Sequence, residues 1–372
     1  MYPITTWAEI DLAAIAHNVQ ELKRISPGAQ LMAIVKADAY GHGAVQTART
    51  ALASGATMLA VSRVSEGVVL REAGIGCPVL LLGYVAPGEI ALSLKNDLTH
   101  TLFNRGQAEI LSDIAMRTGS TAKVHVKIET GMGRLGFEAC KDVINEVTTV
   151  ARLDHLELEG IFTHFAMSDT ADKDYTRQQL ARFQDVLKEL RCIGVEIPIK
   201  HAANSAAIID MPDTHLDMVR AGIAMYGLYP SEEVDKSRVY LRPAMSFKTQ
   251  VGHIKRVPAG YRVSYGCTYV TKEPTLLATI PVGYADGYSR LLSSRSEVLI
   301  HGQRAAVVGR VCMDQCMIDI GHIDDPAVGD EVVLWGRQGE AYLPVEEIAA
   351  KIGTINYELV CMVNDRVPHV YI

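Results

Sequence analysis

Eight short apolar runs rich in valine, isoleucine and leucine recur through the first 230 residues. They are LMAIVKA (31–37), TMLAVSRV (57–64), PVLLLGY (78–84), LTHTLF (98–103), KVHVKIET (123–130), LELEGIFTHF (156–165), PIKHAANS (198–205) and MVRAGIAMYGL (218–228). Stretches with helical spacing separate them, clearest at 44–55, 105–119 and 172–194. Nearly continuous apolar strands alternating with helices imply parallel strands covered on both faces. Eight such units in roughly 200 residues point to a closed (β/α)8, TIM-like barrel. An open doubly wound sheet is the alternative. It usually has fewer strands and often a G-x-G-x-x-G first turn, which this chain lacks.

After Pro230 the texture changes. SEEVDKS reads as a linker, and the runs beyond it alternate with period two: MSFKTQVGHIKRV, RVSYGCTYV, PTLLATIPVGY, SEVLIHGQRAAVVGRV, CMIDIG and DEVVLWG. That pattern predicts a smaller antiparallel β domain with one helix at 345–353. The expected division is 1–235 for the barrel and 236–372 for the β domain. The first strand-like piece, residues 5–10, is available to pair with the β domain.

Bulk properties exclude several classes. The chain has 372 residues, 36 basic and 43 acidic, for a net charge of −7. A nucleic-acid surface wants a basic face, so none is expected. No apolar run approaches the ~20 residues of a membrane span, and no secretory leader is visible. Seven scattered cysteines read as reduced thiols in a cytoplasmic protein. Cys312 and Cys316 stand as CMDQC, without a second pair, so no metal site is expected.

In a barrel of this kind catalytic groups sit at the C-terminal ends of the strands. Polar residues cluster there: Lys36 ends the first strand, Arg134 follows the fifth, His164 ends the sixth, His201, Asn204 and Ser205 end the seventh, and Arg220 lies in the eighth. Desolvation lowers an amine's pKa, and a neutral Lys36 could attack an aldehyde to give a Schiff base. The alternative is a lysine that snorkels or pairs with Asp38. Ser205 with Gly222-Ile223 suits a phosphate monoester; the alternative is a helix cap and an ordinary turn glycine. A buried Arg220 needs an acceptor, from a ligand or from Asp217. His164 and His201, taken singly, read as hydrogen-bonded core histidines.

The segment VKADAYGHG resembles the pyridoxal-phosphate attachment signature of the bacterial alanine racemase family. KIETGMGRLGF, GIFTHFA, HAANSAA, VRAGIAMYG, VSYGCTY, PVGYADGY, GRVCMDQ and INYE resemble the same family's segments, in its order and over essentially the whole chain. The resemblance implies a pyridoxal 5′-phosphate enzyme that interconverts L- and D-alanine and supplies D-alanine for peptidoglycan. It implies Lys36 as Schiff-base lysine and one base, with Gly41 and Gly43 letting the chain turn close to the cofactor. Tyr265 would be the second base, reaching the active site of the opposite subunit in a head-to-tail homodimer.

By the same resemblance Tyr40, Ser205, Gly222, Ile223 and Tyr357 hold the phosphate, with Asn204 beside them. Arg220 faces the pyridine nitrogen with His201 behind it. Arg134 contacts the cofactor's phenolic oxygen and the substrate carboxylate, which the Met313 N–H also meets. His164 tunes Tyr265, and Tyr284 narrows the entrance. In some family members the lysine matching Lys127 is carbamylated and braces Arg134. Relatives often carry arginine where His369 stands, a position expected to lie away from the chemistry.

A small amino acid is the expected substrate, alanine first, with serine or a broader range as alternatives on the same scaffold. From other classes, a non-catalytic cofactor-binding barrel would lack the β domain and Tyr265. A basic amino-acid decarboxylase would be larger and lack VSYGCTY. A metal-dependent hydrolase would need a His/Asp cluster where Lys36 stands.

Overall fold

Val and Ile favour extended backbone because their β-branched side chains pack well on a pleated surface. The computed structural model describes residues 4–140 and 142–372. In it β1 (Thr6–Ile10) precedes the barrel strands β2 (Gln30–Ile34), β3 (Met58–Val61), β4 (Val79–Leu81), β5 (Thr99–Leu102) and β6 (Ala122–Glu129). After the two-residue β7 (Phe137–Glu138) come β8 (Leu156–Phe162), β9 (Ile199–His201) and β10 (Met218–Ala221). The pairings run β5–β4–β3–β2–β10–β9–β8–β6, and β6 pairs with β5 to close the ring. Every pairing in the ring is parallel. β3, β4, β5 and β10 are buried at every position. Helices outside and side chains inside cover both faces of these four strands.

The helices expected at 44–55, 105–119 and 172–194 occupy Ala44–Ala53, Arg105–Thr118 and Asp174–Cys192. The middle one shows why its limits are legible. Asn104 accepts the Gln107 N–H at 2.8 Å to start it, and Gly119 ends it with φ +67°.

The barrel unit comprises residues 13–39 and 44–242. It thus continues past the boundary expected at 235/236 and ends at Arg242. The reason is local hydrogen bonding. Asn18 donates to the carbonyls of Met225 (3.1 Å) and Arg242 (2.8 Å) and accepts the Arg242 N–H (2.8 Å), tying residues 236–242 to the barrel's first helix.

The second unit takes in residues 4–12, residues 40–43, and 243 onward. Its strands are β11 (Met245–Gln250), β12 (His253–Val257), β13 (Arg262–Val263), β14 (Tyr269–Val270), β15 (Thr275–Ile280), β16 (Glu297–Ile300), β17 (Gln303–Val308), β18 (Cys316–Asp319), β19 (Glu331–Gln338), β20 (Ala341–Leu343) and β21 (His369–Tyr371). The main sheet is ordered β12–β15–β18–β17–β16–β19–β11–β1–β21, with β20 on β19. β1 runs antiparallel to β11 and parallel to β21, so the sheet is mixed at that edge.

Two expectations are corrected here. RVSYGCTYV is not one alternating strand: β13 and β14 pair at its two ends, and Ser264 (φ +65°), Gly266 (φ +72°) and Cys267 (φ +48°) break the extended backbone between them. A helix at Asn356–Met362 follows the expected one at Val345–Lys351. All seven cysteines are free. Among the described residues no helix is long and apolar enough to cross a membrane, and no group of three or more His, Cys, Asp or Glu is placed to hold a metal.

Candidate active site

Lys36 stands two residues beyond β2, half-buried, after the fully buried Val35. Ala37, Asp38, Ala39 and Tyr40 then all take φ between +49° and +55°, a left-handed turn built without glycine. Such a conformation costs an L-residue roughly 1–2 kcal/mol, so neighbours must enforce it. Glu66 is one of them: its Oε1 accepts the Ala37 N–H at 2.6 Å, and its Oε2 accepts the N–H groups of Ser62 (2.7 Å) and Arg63 (2.9 Å). Asp38 accepts the Ala44 N–H at 2.7 Å, heading the next helix.

Gly41 (φ +76°) and Gly43 (φ +84°) both take the left-handed backbone that glycine favours. A Cβ on Gly41 would lie 2.3 Å from the Val360 carbonyl oxygen, and one on Gly43 would lie 1.9 Å from the Tyr371 hydroxyl. They admit close packing within the second unit. His369 belongs to the same contact: its Nε2 donates to the Gly41 carbonyl at 3.0 Å. The position expected to lie away from the chemistry therefore touches the segment five residues beyond Lys36.

Arg220 is the centre of the barrel's polar cluster. It is buried, and its guanidinium donates to Thr163 O (2.8 Å), Ala202 O (2.7 Å), His201 Nδ1 (2.9 Å) and His164 Nδ1 (3.2 Å). All four acceptors are uncharged. Burial, then the charge of Arg134, lowers its pKa to about 9. Asp217, the acid considered for it in sequence, accepts from Lys200 instead. Burial and the Arg220 charge hold both His164 and His201 well below the usual histidine range, so both rings are neutral.

Phe162 was not singled out in sequence. Its ring stacks on His201 (4.6 Å, 6°) and underlies Arg220 at 5.4 Å and Lys127 at 5.9 Å. Gln179, from the long helix, donates to His164 O at 3.1 Å and accepts the Ala166 N–H at 2.9 Å, fixing the loop after β8.

Ser205, Gly222 and the residues after it converge: Ser205 Oγ accepts the N–H of Gly222 at 3.0 Å and of Ala224 at 3.3 Å, and Ile223 lies between them in the chain. Asn204 is occupied as the helix cap, accepting from Ala207 N (3.1 Å) and Ser168 Oγ (2.8 Å). Arg134 is exposed on the loop after β6, where Glu129 gathers the N–H groups of Gly131, Met132 and Arg134. Burial, then the charges of Arg134 and Arg220, lowers Lys127 to about 8.

The remaining sequence-derived residues lie in the second unit. Tyr40 and Tyr357 face each other with ring centroids 6.3 Å apart, and burial raises the Tyr40 phenol. Tyr265 is 72% exposed on the strained 264–267 loop. Ser264, just before it, donates to Arg310 O at 2.7 Å and meets Cys312 Sγ at 3.6 Å. The loop carrying Tyr284 is zipped to the one carrying Met313, through Tyr284 N to Cys312 O and Ala285 N to Met313 O, each 3.0 Å. Tyr265, Tyr284 and Met313 thus share one cluster of exposed loops.

A closed barrel with a lysine and a buried arginine at its strand ends, followed by a mostly antiparallel unit bearing an exposed tyrosine, defines a two-domain barrel enzyme of the racemase type. Two family models match: alanine racemase N-terminal domain over residues 10–230 and alanine racemase C-terminal domain over 244–371. The chain belongs to the alanine racemase family. It is 53% identical to an alanine racemase of Desulforamulus reducens and 51% identical to one of Methanococcus maripaludis, in both cases over 98% of this chain and 98% of the relative. Among solved structures, alanine racemase of Clostridium difficile 630 superposes with TM-score 0.96 at 44% identity, covering 100% of this chain and 97% of that one. The same organism's enzyme in complex with cycloserine gives 0.95 at 42%, covering 100% and 96%.

Proposed function

We propose that the chain interconverts L-alanine and D-alanine with pyridoxal 5′-phosphate joined to Lys36, in the cytoplasm and as a homodimer, and that its D-alanine serves peptidoglycan. The observation that carries this reading is Arg220, a buried cation fixed by uncharged acceptors at the strand ends that also carry Lys36. The residues fit the cofactor by the chemistry of their groups. Lys36 offers an amine for an aldehyde, Ser205 and the Gly222–Ile223 backbone offer a phosphate cradle, and Arg220 offers a donor for a ring nitrogen. Tyr40 and Tyr357 carry hydroxyls of the kind that donate to a phosphate. When bound, the cofactor supplies the electron sink that acidifies the Cα–H of an attached amino acid.

The protein's own residues move the proton. Lys36 Nζ takes or delivers it on one face, and Tyr265 Oη of a second copy of the chain does so on the other. His164 keeps its proton on Nε2, because Nδ1 accepts from Arg220; that N–H is available to steady the Tyr265 oxygen. Arg134 and the Met313 N–H orient the substrate carboxylate. Tyr284 narrows the entrance, so a methyl side chain fits best, and one pocket change shifts preference by only ~1–3 kcal/mol.

The deciding experiment combines colour and exchange. Purified protein reconstituted with the cofactor should be yellow, should bleach with borohydride and should carry the label on Lys36. It should then exchange the Cα protons of L- and D-alanine faster than those of serine or lysine. A protein that stays colourless, or a label on another lysine, overturns the reading.

A further inference from the structure

Arg220 carries a buried positive charge, and among the described residues no acid contributes to its shift. A buried cation ordinarily needs a counter-charge. The hydrogen bonds lead to one. His201, which accepts from Arg220 at Nδ1, meets His125 through Nε2 at 2.9 Å from His125 Nδ1. His125 Nε2 in turn meets Glu159 Oε2 at 3.3 Å. His125 and His201 are fully buried, and the Glu159 side chain is 21% exposed.

We propose that Glu159 is the counter-charge of Arg220, coupled to it through His201 and His125, and that it is a positioning residue for the guanidinium.

The two ends dictate the direction of the chain. A guanidinium can only donate and a carboxylate can only accept. His201 must therefore keep Nδ1 bare and carry its proton on Nε2. That proton goes to His125 Nδ1, which leaves the His125 proton on Nε2, pointing at Glu159. A second proton on His201 would set two donors against each other, so that ring stays neutral while Arg220 is charged.

Two backbone features build the chain. β6 and β8 pair Val124 with Leu158 but His125 with Gly160, so Glu159 is the extra residue of a bulge. A bulge re-aims a side chain, here an acid in a barrel strand. Gly160 supplies the space: a Cβ there would lie 2.4 Å from His125 Nδ1 and 2.5 Å from its Cε1. The ring sits where any other residue's side chain would begin.

Other charges also face these groups: Arg134 acts on Arg220, and Lys123 acts on Glu159. A control must therefore remove a neighbouring charge without touching the chain. Glu157, exposed on the same strand, provides it.

The test labels the holoenzyme with 15N-histidine and 13Cζ-arginine. In the unmodified protein both His125 and His201 should show a bare Nδ1 and a protonated Nε2. Glu159→Gln, which keeps an acceptor but removes the charge, should shift the His201 Nε2 resonance and lower the Arg220 titration midpoint by roughly one pH unit, about tenfold in proton affinity. Glu157→Gln should leave both in place. The proposal is overturned if either ring carries its proton on Nδ1, or if Glu159→Gln moves His201 and Arg220 no more than Glu157→Gln does. The hydrogen-bond chain stands by itself, and only its effect on a bound cofactor rests on the proposed function. A protein that binds no chromophore would still return the histidine and arginine signals.

Discussion

His369 donates from Nε2 to the carbonyl oxygen of Gly41 across 3.0 Å, so the last strand grips the end of the left-handed turn that begins after Lys36. Removing the donor leaves a carbonyl without that partner in a closely packed segment. His369→Ala should cost about 1 kcal/mol in urea unfolding, and His369→Gln, with a donor at similar reach, should recover most of it. Equal loss in both variants would mean that ring packing, rather than the hydrogen bond, matters at this position.

Glu66 collects the N–H groups of Ala37, Ser62 and Arg63 with its two carboxylate oxygens. Glu66→Ala strands these donors beside a turn that is already strained. Charge-assisted hydrogen bonds contribute about 1.5–3 kcal/mol, so stability should fall by at least 2 kcal/mol, roughly. The turn should also become the first part of the barrel to exchange its amide hydrogens. Unchanged exchange at 37–40 would show that the turn holds without Glu66.

Tyr265 stands exposed on a loop with three residues at positive φ. Tyr265→Phe keeps the ring and deletes the hydroxyl. Cα deuterium exchange should drop far more for one alanine enantiomer than for the other, because Lys36 retains its own face. A symmetrical loss would contradict the assignment of the two bases.

The buried histidines set a pH limit on stability. Burial lowers His100 to about 4, and burial with the Arg220 charge lowers His164 and His201 well below 6.5. Unfolding returns all three to about 6.5. Below that value the unfolded chain binds protons that the folded one refuses. The stability is therefore fully present above pH 6.5 and is lost as the pH falls toward the folded values. Each ring steepens the fall by about 1.4 kcal/mol per pH unit at most. Urea midpoints at pH 7.5 and 5.5 should differ clearly, and a flat profile would mean that these rings charge in the folded state.

The eight barrel strands and three of the helices were readable because their signals are local. Apolar runs of strand length, helical spacing, and caps such as Asn104 and Gly119 each lie within a few residues of the element they define. The strand-end residues were readable for the same reason: a barrel brings its strand ends together whatever their loops do, so Lys36, His164, His201 and Arg220 had to converge. The partners of those residues were not readable. Glu66, Gln179, Phe162, His125 and Glu159 carry no motif, whereas the helix cap considered for Asn204 is what the structure shows.

By itself the sequence determined the kind and number of the barrel strands and which cations and histidines crown them, since periodicity and residue chemistry act over short range. Only the tertiary structure decided that four non-glycine residues after Lys36 wind left-handed, that Gly41 and Gly160 are vacated for Val360 and His125, and that Arg220 finds neutral acceptors in place of Asp217. These depend on contacts between residues far apart in the chain, where close packing and the need to satisfy buried polar groups override local preference.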